Sequence, residues 1–149
     1  MKNCFLLINF ILCTLTIQGQ ISSELLKKDT VHAGNKTLVI NYPSNYIKHS
    51  ESNYGDLLVI YISEHAPQSA ITLFVGSNFQ WDENILCIQY DTIDSEKHTT
   101  VYGYCDKCGF YRRVYFKKSL FIVSYECISN ADKPYFDFIL DSIEIISNN

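Results

Sequence analysis

The feature that most constrains the fold is a succession of short runs rich in β-branched and aromatic residues, separated by turn signals. Such runs are typical of β-strands, and the Gly-, Pro- or Asp-containing segments between them are typical of turns. Seven runs can be read along the chain: 37–42, 56–64, 70–76, 84–92, 99–105, 110–117 and 120–128. The connections between the last four runs are short, so we predict that these four form an antiparallel meander.

The end of the chain changes its hydrophobic period from that of a strand to that of a helix. Four apolar residues recur there at the spacing of one helix face: Phe136, Ile139, Leu140 and Ile143. Asp132 is the expected N-cap, Pro134 falls in the first turn, and 143–146 is expected to continue as a short strand. An amphipathic helix must bury its apolar face, and the sheet is the surface available for it.

These patterns predict an α+β fold: a single antiparallel sheet (a meander) with a C-terminal amphipathic helix packed on it. The polar segments outside the runs are assigned no strand. Residues 44–53 are expected to form a loop, and residues 21–36 a short helix or an irregular arm. We predict three parts: a signal peptide at 1–19, an N-terminal arm at 20–36 and a single α+β domain at 37–147.

The first residues have the pattern of a secretory signal peptide. Lys2 is followed by an apolar stretch over 5–15, and Gly19 supplies a small residue near the expected cleavage position. The alternative is a buried N-terminal strand or helix. No later run approaches the roughly 20 apolar residues that a membrane-spanning helix needs. We therefore expect a secreted or periplasmic protein without a stable membrane span.

Composition excludes several classes of function. Lys+Arg number 12 against 16 Asp+Glu, for a net charge of −4, which argues against a nucleic-acid partner because nucleic-acid binders carry basic patches. The sequence contains no phosphate-binding loop, no H-E-x-x-H and no EF-hand loop. The four histidines lie scattered in predicted loops. We therefore predict neither a cofactor nor a metal.

Four cysteines remain after the signal peptide is removed: Cys87, Cys105, Cys108 and Cys127. A hairpin centred on 95–97 sets Cys87 opposite Cys105, and a turn at 118–119 sets Phe110 opposite Cys127. Cys108 then lies one diagonal step from Cys127, so all four share one face. In an oxidising compartment this register predicts the disulfides Cys87–Cys105 and Cys108–Cys127. A four-thiolate zinc site and a redox-active Cys105-x-x-Cys108 pair remain open as alternatives.

One strand carries a stripe of interface-type residues on an acidic chain. Strand alternation places Tyr111, Arg113, Tyr115 and Lys117 on one face, and tyrosine and arginine are enriched at protein interfaces. An ordinary solvated sheet face is the alternative. We predict an exported, non-enzymatic binding or interaction module whose partner is another protein, with these residues as its contact surface. The alternatives are a thiol-disulfide oxidoreductase and an immunity-type, toxin-neutralising protein.

Two segments resemble the PsbP-like family of small exported α/β proteins. The first is LVINYPSNY at 38–46, which is similar to the opening strand of that family. The second is YFDFILDSIEI at 135–145, which is similar to its terminal helix and the following strand. The resemblance implies an antiparallel sheet with helical packing and a binding or assembly role without catalysis.

Overall fold

A computed structural model describes residues 26–148 except 54, 64–68, 78–86 and 107–108. This part of the chain forms ten strands and one helix. The first five strands are β1 (Leu26–Ala33), β2 (Lys36–Pro43), β3 (Tyr46–Asn53), β4 (Asp56–Ser63) and β5 (Ala70–Val75). They are followed by β6 (Cys87–Asp94), β7 (His98–Cys105), β8 (Gly109–Phe116), β9 (Phe121–Ile128), α1 (Lys133–Asp141) and β10 (Glu144–Ser147).

The strands form two antiparallel sheets rather than one. The smaller sheet has the order β1-β2-β10, and the larger has the order β3-β4-β5-β9-β8-β7-β6. The predicted α+β fold with a single sheet is therefore wrong: the molecule is mostly β, with two sheets and one short helix. The sheets are antiparallel as expected, and the meander predicted for the last four runs is confirmed in β6 to β9.

The predicted fold class is wrong because two strands lie in segments whose polar sequences predict an arm and a loop. β1 lies within the predicted arm, and β3 lies within the predicted loop at 44–53. Both are edge strands, and every residue of β3 after Tyr46 is exposed. β3 has solvent on both faces after Tyr46 and needs no apolar alternation, so its sequence does not differ from that of a polar loop. β1 buries only Val31 fully, which is too little apolar alternation to distinguish it from a polar arm.

The terminal helix is confirmed, and it packs against β2, β8 and β9. Asp132 is its N-cap residue but makes no side-chain cap hydrogen bond; its carboxylate instead accepts one from the Ser129 hydroxyl at 2.7 Å. The predicted final strand is also present as β10, but it pairs with β2 in the smaller sheet. The helix and β10 thereby connect the two sheets.

The core lies between the two sheets and the helix. Its fully buried side chains come from both sheets and from α1, including Leu38, Ile40, Tyr61, Ile71, Leu73, Val123, Tyr125 and Ile139. The rings of Tyr42 and Tyr61 contact each other across the sheets at 4.4 Å between centroids. The Tyr61 hydroxyl also donates a hydrogen bond to Asp29 of β1 at 2.8 Å. Burial is therefore continuous from one sheet to the other.

A β-bulge interrupts the pairing of β8 with β9. Arg112 pairs with Tyr125, but Phe110 pairs with Ile128, so β9 contains one extra residue at this point. Cys127 adopts a positive φ of 59° there. The extra residue returns Ile128 to the inner face, where it is buried in the core.

Residues 1–25, on which the predicted signal peptide falls, lie outside the described residues. Within the part that the structure describes, no helix is long and apolar enough to cross a membrane.

Candidate functional site

A cleft of about 790 Å³ lies between the smaller sheet and the meander. One wall is formed by β10 and the end of α1, and the other by β8 and the start of β7. The turn between β6 and β7 and the turn between β8 and β9 close one end. Its volume is within the range of roughly 300–1,000 Å³ that is usual for small-molecule sites.

Apolar side chains line the interior of this cleft: Val114, Phe116, Leu140, Ile143 and Ile145. Val114 and Phe116 are two residues apart and therefore share the inner face of β8, and Leu140 belongs to the apolar face of α1. His98 contacts Phe116 edge to face at 5.9 Å between ring centroids. Strand β8 and helix α1 thus both direct apolar side chains into the cleft, because neither sheet covers the other completely here.

Four lysines surround the cleft: Lys36, Lys97, Lys117 and Lys118, which we call the lysine rim. They come from the start of β2 and from two turns of the meander. The two turns are held together by a hydrogen bond from the Lys117 amide to the Lys97 carbonyl at 2.9 Å. The Lys36 ammonium donates a hydrogen bond to the backbone oxygen of Lys118. The lysines are therefore positioned by backbone contacts between the two sheets.

The ammonium groups of the lysine rim differ in their ionic partners. Lys117 pairs with Asp94 at 2.7 Å and donates a hydrogen bond to the Ser95 carbonyl at 2.7 Å. Among the described residues, no carboxylate lies within salt-bridge distance of Lys36, Lys97 or Lys118. The cleft also contains three acidic side chains, Glu96, Asp141 and Glu144. Three of the four lysines therefore keep a charge that an acidic side chain does not neutralise.

A buried arginine forms the inner wall of the cleft. Arg112 is only 5% exposed, and its two terminal nitrogens lie 2.6 Å from Asp141 and 3.3 Å from Asp137. Asp137 also accepts hydrogen bonds from the Tyr125 hydroxyl at 2.9 Å and from Lys133 at 2.7 Å. These contacts fix α1 to β8 and β9.

The charge of Arg112 is held in place by this network. The guanidinium lies over the ring of Tyr102 at 5.2 Å. Burial by itself lowers the pKa of Arg112, but the hydrogen bond and charge of Asp141 outweigh it, so that the pKa is raised above its usual value. Arg112 therefore stays cationic and acts mainly as a clamp on the helix.

The predicted cysteine register is correct at one end and wrong at the other. Cys87 and Cys105 are Cα partners in β6 and β7, as predicted, but a register shift between Gln89 and Asp91 is what brings them opposite each other. The pairs next to the turn, such as Asp94 with Thr99, lie one residue out of that register. The predicted pairing of Phe110 with Cys127 is wrong, because the bulge in β9 places Ile128 opposite Phe110. Cys108 lies outside the described residues. In the described part of the chain, no group of three His, Cys, Asp or Glu residues is placed to hold a metal.

The predicted contact stripe does not form one exposed surface. Tyr111 and Arg113 are only 4% and 8% exposed, Tyr115 is half-buried and Lys117 is exposed. The Tyr111 ring lies against Gly103 on β7, and the Arg113 guanidinium lies over that ring at 4.7 Å. Within the stripe, only Tyr115 and Lys117 expose a substantial part of their side chains to solvent. The role of the stripe in binding stays a prediction, and Lys117 belongs to the lysine rim.

Glu126 is half-buried on β9, within the electrostatic influence of Arg113. Burial raises the pKa of Glu126, while the charge of Arg113 and a hydrogen bond from Ser124 lower it in part, so that the pKa is raised overall. Protonation of Glu126 therefore stabilises the fold: this contribution is fully present below the ordinary pKa of 4.5 and is lost as pH rises through the raised pKa.

Replacing Glu126 with glutamine removes this titration. We expect the free energy of unfolding of E126Q to rise relative to that of the wild type as pH rises from acid to neutral. Urea unfolding at a series of pH values measures this difference. Glu51, which is exposed on β3, provides the matched control E51Q. A difference for E126Q that is independent of pH would contradict the assignment.

Comparison of the chain with protein-family models, with curated proteins and with solved structures finds no match. The case for the site therefore depends on the geometry of the cleft. The sequence analysis had placed Lys117 in the contact stripe. Lys36 and Lys97 carried no signal, because each stands alone in a polar turn and joins the lysine rim only through the packing of the two sheets.

Proposed function

We propose that this chain is an exported, non-enzymatic binding module whose ligand site is the cleft between the two sheets. The observation that carries the proposal is the cleft itself, an interior of apolar side chains surrounded by cationic ones. Small-molecule sites combine these features: an apolar concave interior buries the ligand, and a few polar groups orient it. The resemblance to PsbP-like proteins supports the same kind of role, binding without catalysis.

The walls of the cleft are suited to binding because they are rigid. β8 is an interior strand of the larger sheet, and α1 is clamped to it through the ion pairs of Arg112 with Asp137 and Asp141. β10 is fixed to β2 along its whole length. A site formed before its ligand arrives loses little conformational entropy on binding, which favours affinity.

Export and disulfide formation belong to the same proposal. The signal-peptide pattern at 1–19 directs the chain to an oxidising compartment, where cysteines that face each other form disulfides. Opposed residues in antiparallel strands lie about 4.5–5.5 Å apart at Cα, which is within disulfide range. We therefore propose the disulfide Cys87–Cys105, which the register supports. We also propose Cys108–Cys127, but on the compartment and the two remaining thiols alone, because the bulge in β9 removes the register argument for this pair.

Peptide mapping without reduction tests the disulfides. We expect a peptide pair that joins Cys87 to Cys105, and the loss of this pair after mild reduction. The variant C127S serves as the control, because it should leave the Cys87–Cys105 pair in place while releasing Cys108 as a free thiol. A peptide closed by a bond between Cys105 and Cys108 would contradict the pairing and favour the oxidoreductase alternative.

Binding of a neutral fluorescent probe tests the cleft. N-phenylnaphthylamine becomes fluorescent in apolar sites and carries no charge, so its binding reports on the apolar interior alone. Ile146 lines the cleft and is 48% exposed, so a tryptophan there can project into the cleft without entering the core. We expect I146W to weaken probe binding by about tenfold, since overfilling a site costs on the order of 1–3 kcal/mol.

The matched control is I47W on β3, where Ile47 is 45% exposed and lies outside the cleft. It introduces the same tryptophan on a different strand and should leave probe binding unchanged. Saturable binding that is lost only in I146W supports the proposed function. No binding, or equal loss in both variants, would contradict it.

A further inference from the structure

The chemistry of the cleft also indicates what class of ligand it takes. We infer that the ligand is a single-chain amphiphile with an anionic head, which is a carboxylate or a phosphate. This inference rests on the proposed binding function. The head would lie among the lysine rim, and the apolar chain would lie along Phe116, Ile143 and Ile145.

The sign of the charge around the cleft is the first step. Five cationic and three acidic side chains line it, although the whole chain has a net charge of −4. Arg112 and Asp141 neutralise each other, and Lys117 is paired with Asp94. Lys36, Lys97 and Lys118 have no carboxylate within salt-bridge distance in the described residues. These three lysines stand against Glu96 and Glu144, which also line the cleft without a salt bridge in the described residues, so one net positive charge remains. A positive cleft on a chain that is acidic overall favours an anion there.

The positions of these lysines are the second step. Lys97 and Lys118 lie in two turns that the hydrogen bond between the Lys117 amide and the Lys97 carbonyl holds together. Lys36 reaches from the other sheet to the Lys118 carbonyl. Three lysines are thereby placed at one end of the cleft, where their flexible side chains can direct ammonium groups to one compact anionic group.

The apolar interior is the third step, and it separates an amphiphile from a simple anion. A free phosphate ion would use the lysines and leave the apolar side chains of β8 and β10 in contact with water. The concave shape and the volume of about 790 Å³ fit a small ligand, whereas a protein partner needs a contact area of about 800 Å² per side. A molecule with one anionic end and one apolar end satisfies both halves of the cleft.

Isothermal titration with four probes below their micelle concentrations tests the inference. Dodecanoate and dodecyl phosphate carry the anionic head and the chain, dodecyl maltoside carries the same chain with a neutral head, and inorganic phosphate is a head without a chain. We expect both anionic amphiphiles to bind at least about tenfold more tightly than dodecyl maltoside, and inorganic phosphate to bind weakly. This affinity difference should shrink as salt is added.

The double variant K97Q/K118Q should weaken dodecyl phosphate binding by about tenfold, since each exposed charge contact contributes up to roughly 1 kcal/mol. The matched control is K27Q/K28Q, which removes two exposed lysines of β1 outside the cleft. All variants are checked for unchanged thermal unfolding before titration.

Two results would overturn the inference while leaving the proposed function intact. One is dodecyl maltoside binding as tightly as dodecyl phosphate, and the other is full affinity in K97Q/K118Q. Inorganic phosphate binding as tightly as dodecyl phosphate would also overturn it, because the site would then recognise a free anion. Failure of the proposed function itself gives a different result: neither the neutral probe nor any amphiphile binds.

Discussion

Replacing Asp137 with alanine is expected to lower the free energy of unfolding by about 3 kcal/mol. Asp137 accepts hydrogen bonds from Arg112, Tyr125 and Lys133, and its side chain is only 23% exposed. Without its carboxylate, the buried Arg112 guanidinium loses half of its ionic partners and the Tyr125 hydroxyl loses its acceptor. A buried charge left with too few partners is more costly than a lost surface contact.

Asp141 provides the matched comparison, because it lies in the same helix and pairs with the same arginine at 2.6 Å. Its side chain is 65% exposed, so water can replace it, and we expect D141A to cost about 1 kcal/mol. Urea unfolding of both variants measures the difference. If D141A destabilised the protein as much as D137A, the network centred on Asp137 would not be what anchors α1 to the larger sheet.

The second large effect is expected at Gly109, next to the bulge in β9. Gly109 has φ of +107°, and a Cβ atom built there would lie 2.6 Å from the backbone oxygen of Ile128. Backbone cannot move away as a flexible side chain can, and the positive φ adds strain for any residue with a Cβ. We expect G109A to lower the free energy of unfolding by about 3 kcal/mol.

Gly34 separates the two causes of this effect. It also has a positive φ of 58°, but a Cβ atom there would meet nothing within 4 Å. G34A should therefore show the conformational cost alone, about 1 kcal/mol. Chemical denaturation of both variants gives the comparison. Equal destabilisation would contradict the close approach of Gly109 to Ile128 and with it the position of the bulge.

The sequence allowed the meander to be predicted because its strands show apolar alternation and its connections are short. Strand positions were also predictable, both in the meander and before it: β4, β5, β7 and β8 all begin within one residue of their predicted starts. The same reasoning missed β1 and β3, whose exposed polar residues do not differ from those of a loop. Without β1 the smaller sheet could not be predicted, and nothing in the sequences of β2 and β10 shows that these two predicted strands pair with each other.

Register could be predicted only in part, because neither hairpin around the cysteines is regular. Cys87 lies opposite Cys105 as predicted, but the actual turn pairs Asp94 with Thr99, and an irregularity between Gln89 and Asp91 compensates for that difference of one residue. The bulge at Cys127 could not be predicted, because a cysteine with positive φ carries no turn signal of the kind that glycine or asparagine provides. One extra residue in β9 was enough to change the partner of Phe110.

The candidate site was the least predictable part of the molecule. The basic residues of β8 and the turn after it were visible in the sequence, but Arg113 is buried beside Tyr111. Lys117 lies at the cleft because β8 ends at Phe116 and Lys117 belongs to the turn that follows. The convergence of Lys36 with Lys97 and Lys118 depends on how the smaller sheet packs on the larger one. No local pattern encodes that packing, since it results from burial summed over many residues.

The central claim is that the cleft between the two sheets is the ligand site, and amide NMR tests it most directly. Titration with N-phenylnaphthylamine should shift the amide signals of residues 143–147 and 114–118, which border the cleft, and leave those of β3 unchanged. The shifts should saturate together at a single affinity. Saturable shifts centred on β3 or β4, or no saturable shifts at all, would contradict the account.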